Sequence, residues 1–539
     1  MSKKLNQWIV ALVAMCLVVA CAAQPAAQPA AAPAEGGAAA SEPAASGGTI
    51  IVGAETDIEG GDPTMASALA TTRVLRNVYD GLVEFKLGSI DVEPGLAESW
   101  EISEDATQYT FKLRQGIKFH DGEPFNANAV DFALRRAFDT NFEFYNKAHT
   151  VGFFLVGLQN SEVLDEYTIR LTLAKPNAAF LEFLGYGAGR VVSPKAVREH
   201  GNEYLVEHPV GTGPFRFVEW QKGQKVVLER NPDYWRKGDP KADQLIFVPI
   251  PEPTARVTAL LTGQVNMIVV VPPDAIQQIK DKPELVYDQG PGNQYWFIVL
   301  NTKEGPFADK RVRQAANYAV DKEGLANSIL NGSAKVATQA MPAANWSYSA
   351  DIQGYPYDPE KAKALLAEAG YPDGFKTKMI IPVSGSGMMI PVQMNEYIQG
   401  NLRDVGIEIE IQSYEWVSYL GTWAQGLSTD VTMNNQSIMS SEPYVLNFLL
   451  NGDFVPPNGW NTGYYNNPEV NKLLNEALAV PDRAERAKIY AEAEKLIVED
   501  APWIFVVNDL QPMAYSKKVK GYVTNPAYVI NFNPIYVEE

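Results

Sequence analysis

Histidines at positions 120, 149, 200 and 208 are the first side chains to weigh for chemistry, since imidazole serves both as a general base and as a metal ligand. None stands at ligand spacing from a cysteine or carboxylate, and no histidine follows position 208. Val383-Ser-Gly-Ser-Gly387 is a Gly/Ser loop rather than a Gly-x-Ser-x-Gly elbow, and no base lies near it in sequence. Gly211-Thr-Gly-Pro214 lacks the Gly-Lys-Ser/Thr ending with which a phosphate loop holds a nucleotide. Carboxylate pairs such as Asp404 and Glu408 fall at helix-surface or strand spacing. An acidic glycosidase is the enzyme class that composition alone leaves open. The expectation is a protein without catalysis, metal or cofactor.

The one thiol with a reading of its own is Cys21. Lys3 and Lys4 precede an apolar run from Trp8 to Ala20, about 13 residues or roughly 20 Å as a helix. A bilayer core of ~30 Å needs nearer 20 residues, so the run reads as the core of an export signal. It ends in Val18-Val19-Ala20-Cys21, which resembles the cleavage box of bacterial lipoproteins, where the Cys is lipidated. The alternative is an ordinary secretory signal with an incidental Cys. Residues 22–48 are almost entirely Ala, Pro, Gly, Gln, Ser and Glu, a composition too poor in apolar surface to offset chain entropy. Residues 1–20 are therefore read as a signal and 21–48 as a lipidated tether. Cys16 and Cys21 are the only cysteines, so the body has no disulfide framework.

The rest of the 539-residue chain, too long for one compact core, implies two or three domains. Net charge is −19, and loss of Lys3 and Lys4 makes it two units more negative. Such a surface repels nucleic acid and anionic lipid headgroups. No later run approaches 18 apolar residues.

Strand-like runs occur at Gly48–Gly53, Tyr109–Leu113, Thr168–Leu173, Lys225–Leu228, Leu245–Pro249, Trp503–Val507 and Tyr528–Phe532. Helical periodicity appears at Asn128–Phe138, Arg311–Ala319, Glu360–Ala369 and Val392–Val405. Helix followed by strand over Met379–Ile411 predicts a βαβ layer. Pro481 divides the amphipathic stretch Asn467–Val498 into two helices.

The segment from Ala97-Glu-Ser-Trp100 to Phe119-His-Asp-Gly122 closely resembles the family 5 extracellular solute-binding proteins, the peptide-binding components of ABC importers. Matches continue through Pro209-Val-Gly-Thr-Gly-Pro-Phe215, Arg230-Asn-Pro-Asp-Tyr-Trp235, Pro306–Ala315, Ala319-Val-Asp321, Ala362–Gly370 and Leu402–Ile411. Most of these residues have a structural role: Phe119–Gly122 reads as a turn, and Trp100, Phe111 and Phe119 as core. The resemblance implies an α/β, two-lobed periplasmic-binding-protein-like fold (type II, cluster C) that closes on a ligand. Its N-terminal lobe would span 49–292 plus 509–539, with a subdomain inserted at about 91–206, and its C-terminal lobe 293–508. It implies an exported, monomeric receptor, lipid-anchored outside the cytoplasmic membrane and working with permease subunits and cytoplasmic ATPases. A sensor-type binding lipoprotein of the same fold is the alternative.

In peptide-binding members an Asp three residues after a Trp pairs with the peptide's ammonium group. Anchored on Pro443, those positions here are Gln436 and Met439. The loop Pro382–Pro391, where dipeptide binders tend to carry an Arg for the peptide carboxylate, has no cation. The residues in and around the 432–441 segment, Asn434, Asn435, Gln436 and Met439, are candidates for the pocket wall, since amides bind neutral polar groups without a counter-charge. Tyr295, Trp296 and Trp460 are aromatic candidates and Asn461 a polar one, while Trp416 and Trp423 read as core. Thr56 and Asp57, after the first strand, stand where α/β folds place ligand groups, although Asp57 equally suits a loop cap. A peptide or peptide-like ligand is expected ahead of an oligosaccharide.

Overall fold

The protein is described here from a computed structural model covering residues 47–66, 68–155, 157–385 and 387–538. The readings placed on residues 1–46, including the signal, Cys21 and most of the tether, lie outside the described residues.

Two sheets carry the architecture. The first has seven strands in the order Leu285–Asp288, Met513–Ser516, Met267–Val269, Thr49–Ala54, Gln244–Pro249, Lys225–Arg230 and Phe215–Gln221. Thr49–Ala54 lies between two parallel neighbours, so Ile50 and Val52 are fully buried and the run is apolar rather than alternating. The second has six strands: Ala334–Val336, Trp503–Asp509, Gln294–Leu300, Val431–Met439, Phe375–Pro382 and Ile407–Tyr414. All seven residues of Gln294–Leu300 are buried because both faces of this central strand are covered. The βαβ layer is present: Phe375–Pro382 pairs in parallel with Ile407–Tyr414 across the helix Pro391–Arg403. A smaller four-stranded sheet, Ala97–Ile102, Gln108–Leu113, Thr168–Leu173 and Leu158–Asp165, belongs to the first half of the chain.

Helix boundaries follow local chemistry. Asn126, Asp309, Asp358 and Asn467 each accept a backbone N–H at the start of a helix. The helix Pro468–Leu478 ends before Pro481, and Asp482 then caps Arg483–Asp500. Gly122, at φ +86°, closes the Phe119–Gly122 turn, and Asp121 Oδ1 accepts the Glu123 N–H. Gly211 and Gly213 lie against the Val78 carbonyl, where a Cβ at either would come within 2.7 Å of it.

Tyr528–Phe532 is not a strand. Its turn-forming neighbours organise it locally, with the Tyr528 N–H bonded to the Asn525 carbonyl and the Asn533 N–H to Asn531 Oδ1. The alternation that suggested a strand buries Ile530 and Phe532 without any ladder, Phe532 meeting Phe247 edge-on at 5.6 Å.

The chain crosses between the two large sheets between Asp288 and Gln294 and again between Asp509 and Met513. Register fixes which residues stand at the strand ends beside these crossings. Val269 and Asp288 both pair with Met513 on one sheet, and Gln294 pairs with Met439 on the other.

Candidate functional site at the boundary between the lobes

The segment Phe180–Ala188 of the first lobe packs against three pieces of the second: residues 440–444, Trp346 and the start of the helix Arg483–Asp500. Tyr186 Oη donates to Ser441 Oγ at 2.5 Å and accepts the Ser441 N–H at 2.6 Å. Phe183 meets Tyr444 edge-on at 5.1 Å, and the Ala178 N–H reaches the Leu478 carbonyl at 2.9 Å. Phe85, Phe183, Tyr186, Tyr444 and Phe448 thus form one apolar cluster drawn from both lobes.

Beside it lies a cluster of charges. Arg483 Nη2 is 3.0 Å from Glu182 Oε1, and its Nη1 pairs with Asp91. Arg486 Nη2 lies 3.9 Å from Glu182 Oε1 and 3.9 Å from Glu442 Oε2, beyond hydrogen-bonding distance. Both Glu442 oxygens, Glu182 Oε2, and Arg486 Nε and Nη1 are buried without a hydrogen-bond partner among the described residues. Burial, and then the neighbouring Glu182 carboxylate, push Glu442 up to about 8. Trp346 covers both guanidinium groups, at 5.4 Å from Arg483 and 5.2 Å from Arg486.

At the crossing itself, the Asn293 N–H bonds to the Pro526 carbonyl and the Asn293 carbonyl accepts from Ser440. The Asn293 side chain is fully buried, and both of its polar atoms lack a partner among the described residues.

The residues singled out from sequence divide into two groups. Met439 lies at the boundary, packed against the cross-lobe cluster, and Tyr295 stands beside it, with Tyr186 and Glu442 near its hydroxyl. Trp460 touches the same cluster, 5.9 Å from Phe448. The others lie deeper or serve as braces. Trp296 is closed inside the second lobe's core. At ~3.3 Å per residue, Gln436, Asn435 and Asn434 stand about 10, 13 and 16 Å behind Met439 along the strand. Asn434 and Gln436 share the face of Val299 and Phe297, whereas Asn435 takes the opposite face and receives Asn395 Nδ2 at 3.1 Å. Asn461 is used up by the Asn451 and Tyr465 backbones. Asp57 accepts from Trp220 Nε1 and the Gly223 N–H, which makes it a loop brace, and Thr56 is exposed.

Glu182, Tyr186, Asn293, Ser441, Arg483 and Arg486 did not stand out in the sequence. One signal was available: two arginines in the opening turns of a helix oppose its dipole and call for acids from elsewhere.

Two α/β lobes joined by two crossing segments, with polar and charged groups enclosed between them, define a hinged ligand-binding protein. Residues 91–457 match the model of the bacterial extracellular solute-binding proteins, family 5 (Middle), and the chain belongs to that family. It is 36% identical to heme-binding protein A of Haemophilus influenzae, over 84% of this chain and 85% of that protein. It is 33% identical to the glutathione-binding protein GsiB of Pectobacterium atrosepticum, over 87% of this chain and 90% of the relative. Among solved structures, the periplasmic binding protein DppA from Helicobacter pylori in complex with the peptide STSA superposes with a TM-score of 0.80 at 31% identity, covering 91% of this chain and 98% of that one. HbpA2 from Haemophilus parasuis gives 0.81 at 30%, covering 91% and 100%. Members of the family are extracytoplasmic substrate-binding proteins rather than enzymes.

Proposed function

We propose that this chain is a lipid-anchored, monomeric receptor outside the cytoplasmic membrane that captures a peptide or peptide-like solute between its lobes and hands it unchanged to an ABC importer. The lobes are read as 49–292 plus 509–539 and 293–508, the first with an insertion at about 91–206. The observation that carries the reading is the pair of crossings at Asp288–Gln294 and Asp509–Met513. The other contacts named between the lobes are non-covalent, so a ligand touching both favours the closed form.

Relatives named for peptide, glutathione and heme support a ligand of peptide character. Among these, glutathione and short peptides suit the boundary better than heme. All four histidines fall between positions 120 and 208, and none belongs to the contacts described between the lobes, so an iron porphyrin would find no imidazole there. With Met439 at the place of the ammonium-pairing Asp, hydrogen bonds to the ligand's amides carry more of the binding than terminal charges do.

The test is native mass spectrometry of the purified protein for a retained ligand, followed by thermal shift with glutathione, tri- and tetrapeptide pools, heme, and cello- and xylo-oligosaccharides. Stabilisation by glutathione or peptides is expected. A retained sugar, or stabilisation by oligosaccharides alone, rejects the peptide reading.

A further inference from the structure

Glu182 belongs to the first lobe, and Glu442, Arg483 and Arg486 to the second, so the four meet only when the lobes come together. Arg483 is the most exposed of them and already pairs with Asp91 of the first lobe. What remains enclosed is two carboxylates around one guanidinium, none of the three exposed by more than 7%. Glu182 is held by Arg483 at 3.0 Å, whereas Glu442, fully buried, has the Arg486 guanidinium at 3.9 Å and no side-chain hydrogen bond to either oxygen among the described residues, an arrangement that costs free energy unless a proton neutralises it. When the lobes part, Glu182 is withdrawn from Glu442 and the repulsion between the two carboxylates disappears.

We propose that lobe closure takes up a proton on Glu442, which makes the Glu182–Arg486–Glu442 cluster a proton-dependent clasp on the closed form. The proposal rests on the reading that the lobes open and close around a ligand.

Glu442 is faced by Glu182 from the segment Phe180–Phe183, and by Arg483, Arg486 and Tyr490 from the helix Arg483–Asp500. Tyr109, Tyr186, Tyr295 and Tyr444 complete the surround. All of these tyrosines are pushed upward from the ordinary phenol range, chiefly by burial, and stay neutral through neutral pH. Glu442 is the group that titrates near 8, against 4.5 for a free glutamate. The closed form therefore holds a proton that the open form releases. Closure is favoured on the acid side and loses that support as pH rises through about 8.

The experiment measures a distance between the lobes without any ligand. The full chain, with Cys16→Ser and Cys21→Ser, carries nitroxide labels at Lys118→Cys and Lys363→Cys, both exposed and one on each lobe. Double electron–electron resonance then reads the closed and open populations. The closed-to-open ratio should fall by roughly tenfold between pH 6.5 and 8.5 in the parent chain and stay flat in Glu442→Gln. Arg483→Gln, at the exposed rim, removes a cation that favours ionised Glu442 and should move the midpoint to higher pH; it decides the matter if Glu442→Gln does not fold. A pH-invariant distance in the parent, or a midpoint unmoved in Arg483→Gln, overturns the clasp. Calorimetry with glutathione and a tripeptide pool on the same samples separates the two readings: binding with pH-invariant closure sinks the clasp alone, and pH-dependent closure without binding sinks the ligand assignment alone.

Discussion

The Tyr186 hydroxyl both donates to Ser441 Oγ and accepts the Ser441 backbone N–H, so one phenol from the first lobe satisfies two polar groups of the second. Its ring sits edge-on to Phe85 at 4.8 Å and stacks with Phe154 at 6.0 Å, contacts that place the hydroxyl without depending on it.

Tyr186→Phe therefore keeps the apolar packing and strands the Ser441 N–H inside the closed boundary. Leaving a buried donor unpaired costs about 1–3 kcal/mol, charged here against the closed form rather than against either lobe. Hydrogen–deuterium exchange should show faster exchange at Ser441, with the amides of the central strand Gln294–Leu300 unchanged. Unaltered exchange at Ser441 would mean that the bond contributes nothing to closure.

The Gly211-Thr-Gly-Pro motif acts through the backbone. The Gly213 N–H bonds to the Val78 carbonyl at 2.9 Å, and a Cβ on Gly213 would stand 2.6 Å from the Asn77 carbonyl oxygen and 2.7 Å from that of Val78. Neither neighbour is the end of a flexible side chain, so Gly213→Ala should cost about 2–3 kcal/mol or more as the segment is forced apart. Urea titration followed by tryptophan fluorescence measures the loss. A midpoint within error of the parent would show that the loop yields.

Periodicity carried the fold further than it carried the site. The helix Pro391–Arg403 and its parallel strands announce themselves through local spacing, because amphipathic burial writes a pattern into consecutive residues. The boundary joins Glu182 to Arg483 across 301 positions, and no local pattern records such a pair. Asn434, Asn435 and Gln436 show how little a local pattern says about depth, although Asn434 Oδ1 and Gln436 Oε1 are buried without a partner among the described residues. A polar run in a strand suggested a pocket wall, yet the register puts these amides behind Met439 and on both faces of the sheet. Tyr528–Phe532 misled differently, since alternating burial in an irregular segment imitates a strand.

Asp62 and Arg136 form an ion pair with 1% and 0% side-chain exposure, the Nη2–Oδ2 distance being 2.5 Å. Asp62 also accepts from Asn146 Nδ2 and from the Thr64 hydroxyl and N–H, and Arg136 Nε donates to Asn202, so four segments of the first lobe meet there. Asp62→Ala leaves a guanidinium buried without its counter-charge and should cost about 3–5 kcal/mol, whereas the double variant Asp62→Ala/Arg136→Met should recover part of that. Chemical denaturation of the single and double variants tests the coupling, and strictly additive losses would contradict it.

Lys322 is the clearest source of pH-dependent stability in the second lobe. The residue is 3% exposed, and its ammonium group donates to the Tyr355 carbonyl at 3.3 Å and lies 5.7 Å from the Tyr355 ring. Burial lowers it from 10.5 to about 7. In the unfolded chain the amine keeps its proton up to about 10.5, so between pH 7 and 10.5 the unfolded state binds more protons than the folded state. Stability should therefore rise with pH through that window, and the penalty for burying the charge is complete below about pH 7. Lys322→Met removes the penalty while conserving most of the side-chain volume. The variant should be more stable than the parent by about 2–4 kcal/mol at pH 6, with the advantage shrinking steadily toward pH 10. Melting temperatures of both chains from pH 5.5 to 10 decide the point: a gap that stays constant with pH would show that Lys322 is held charged in the fold.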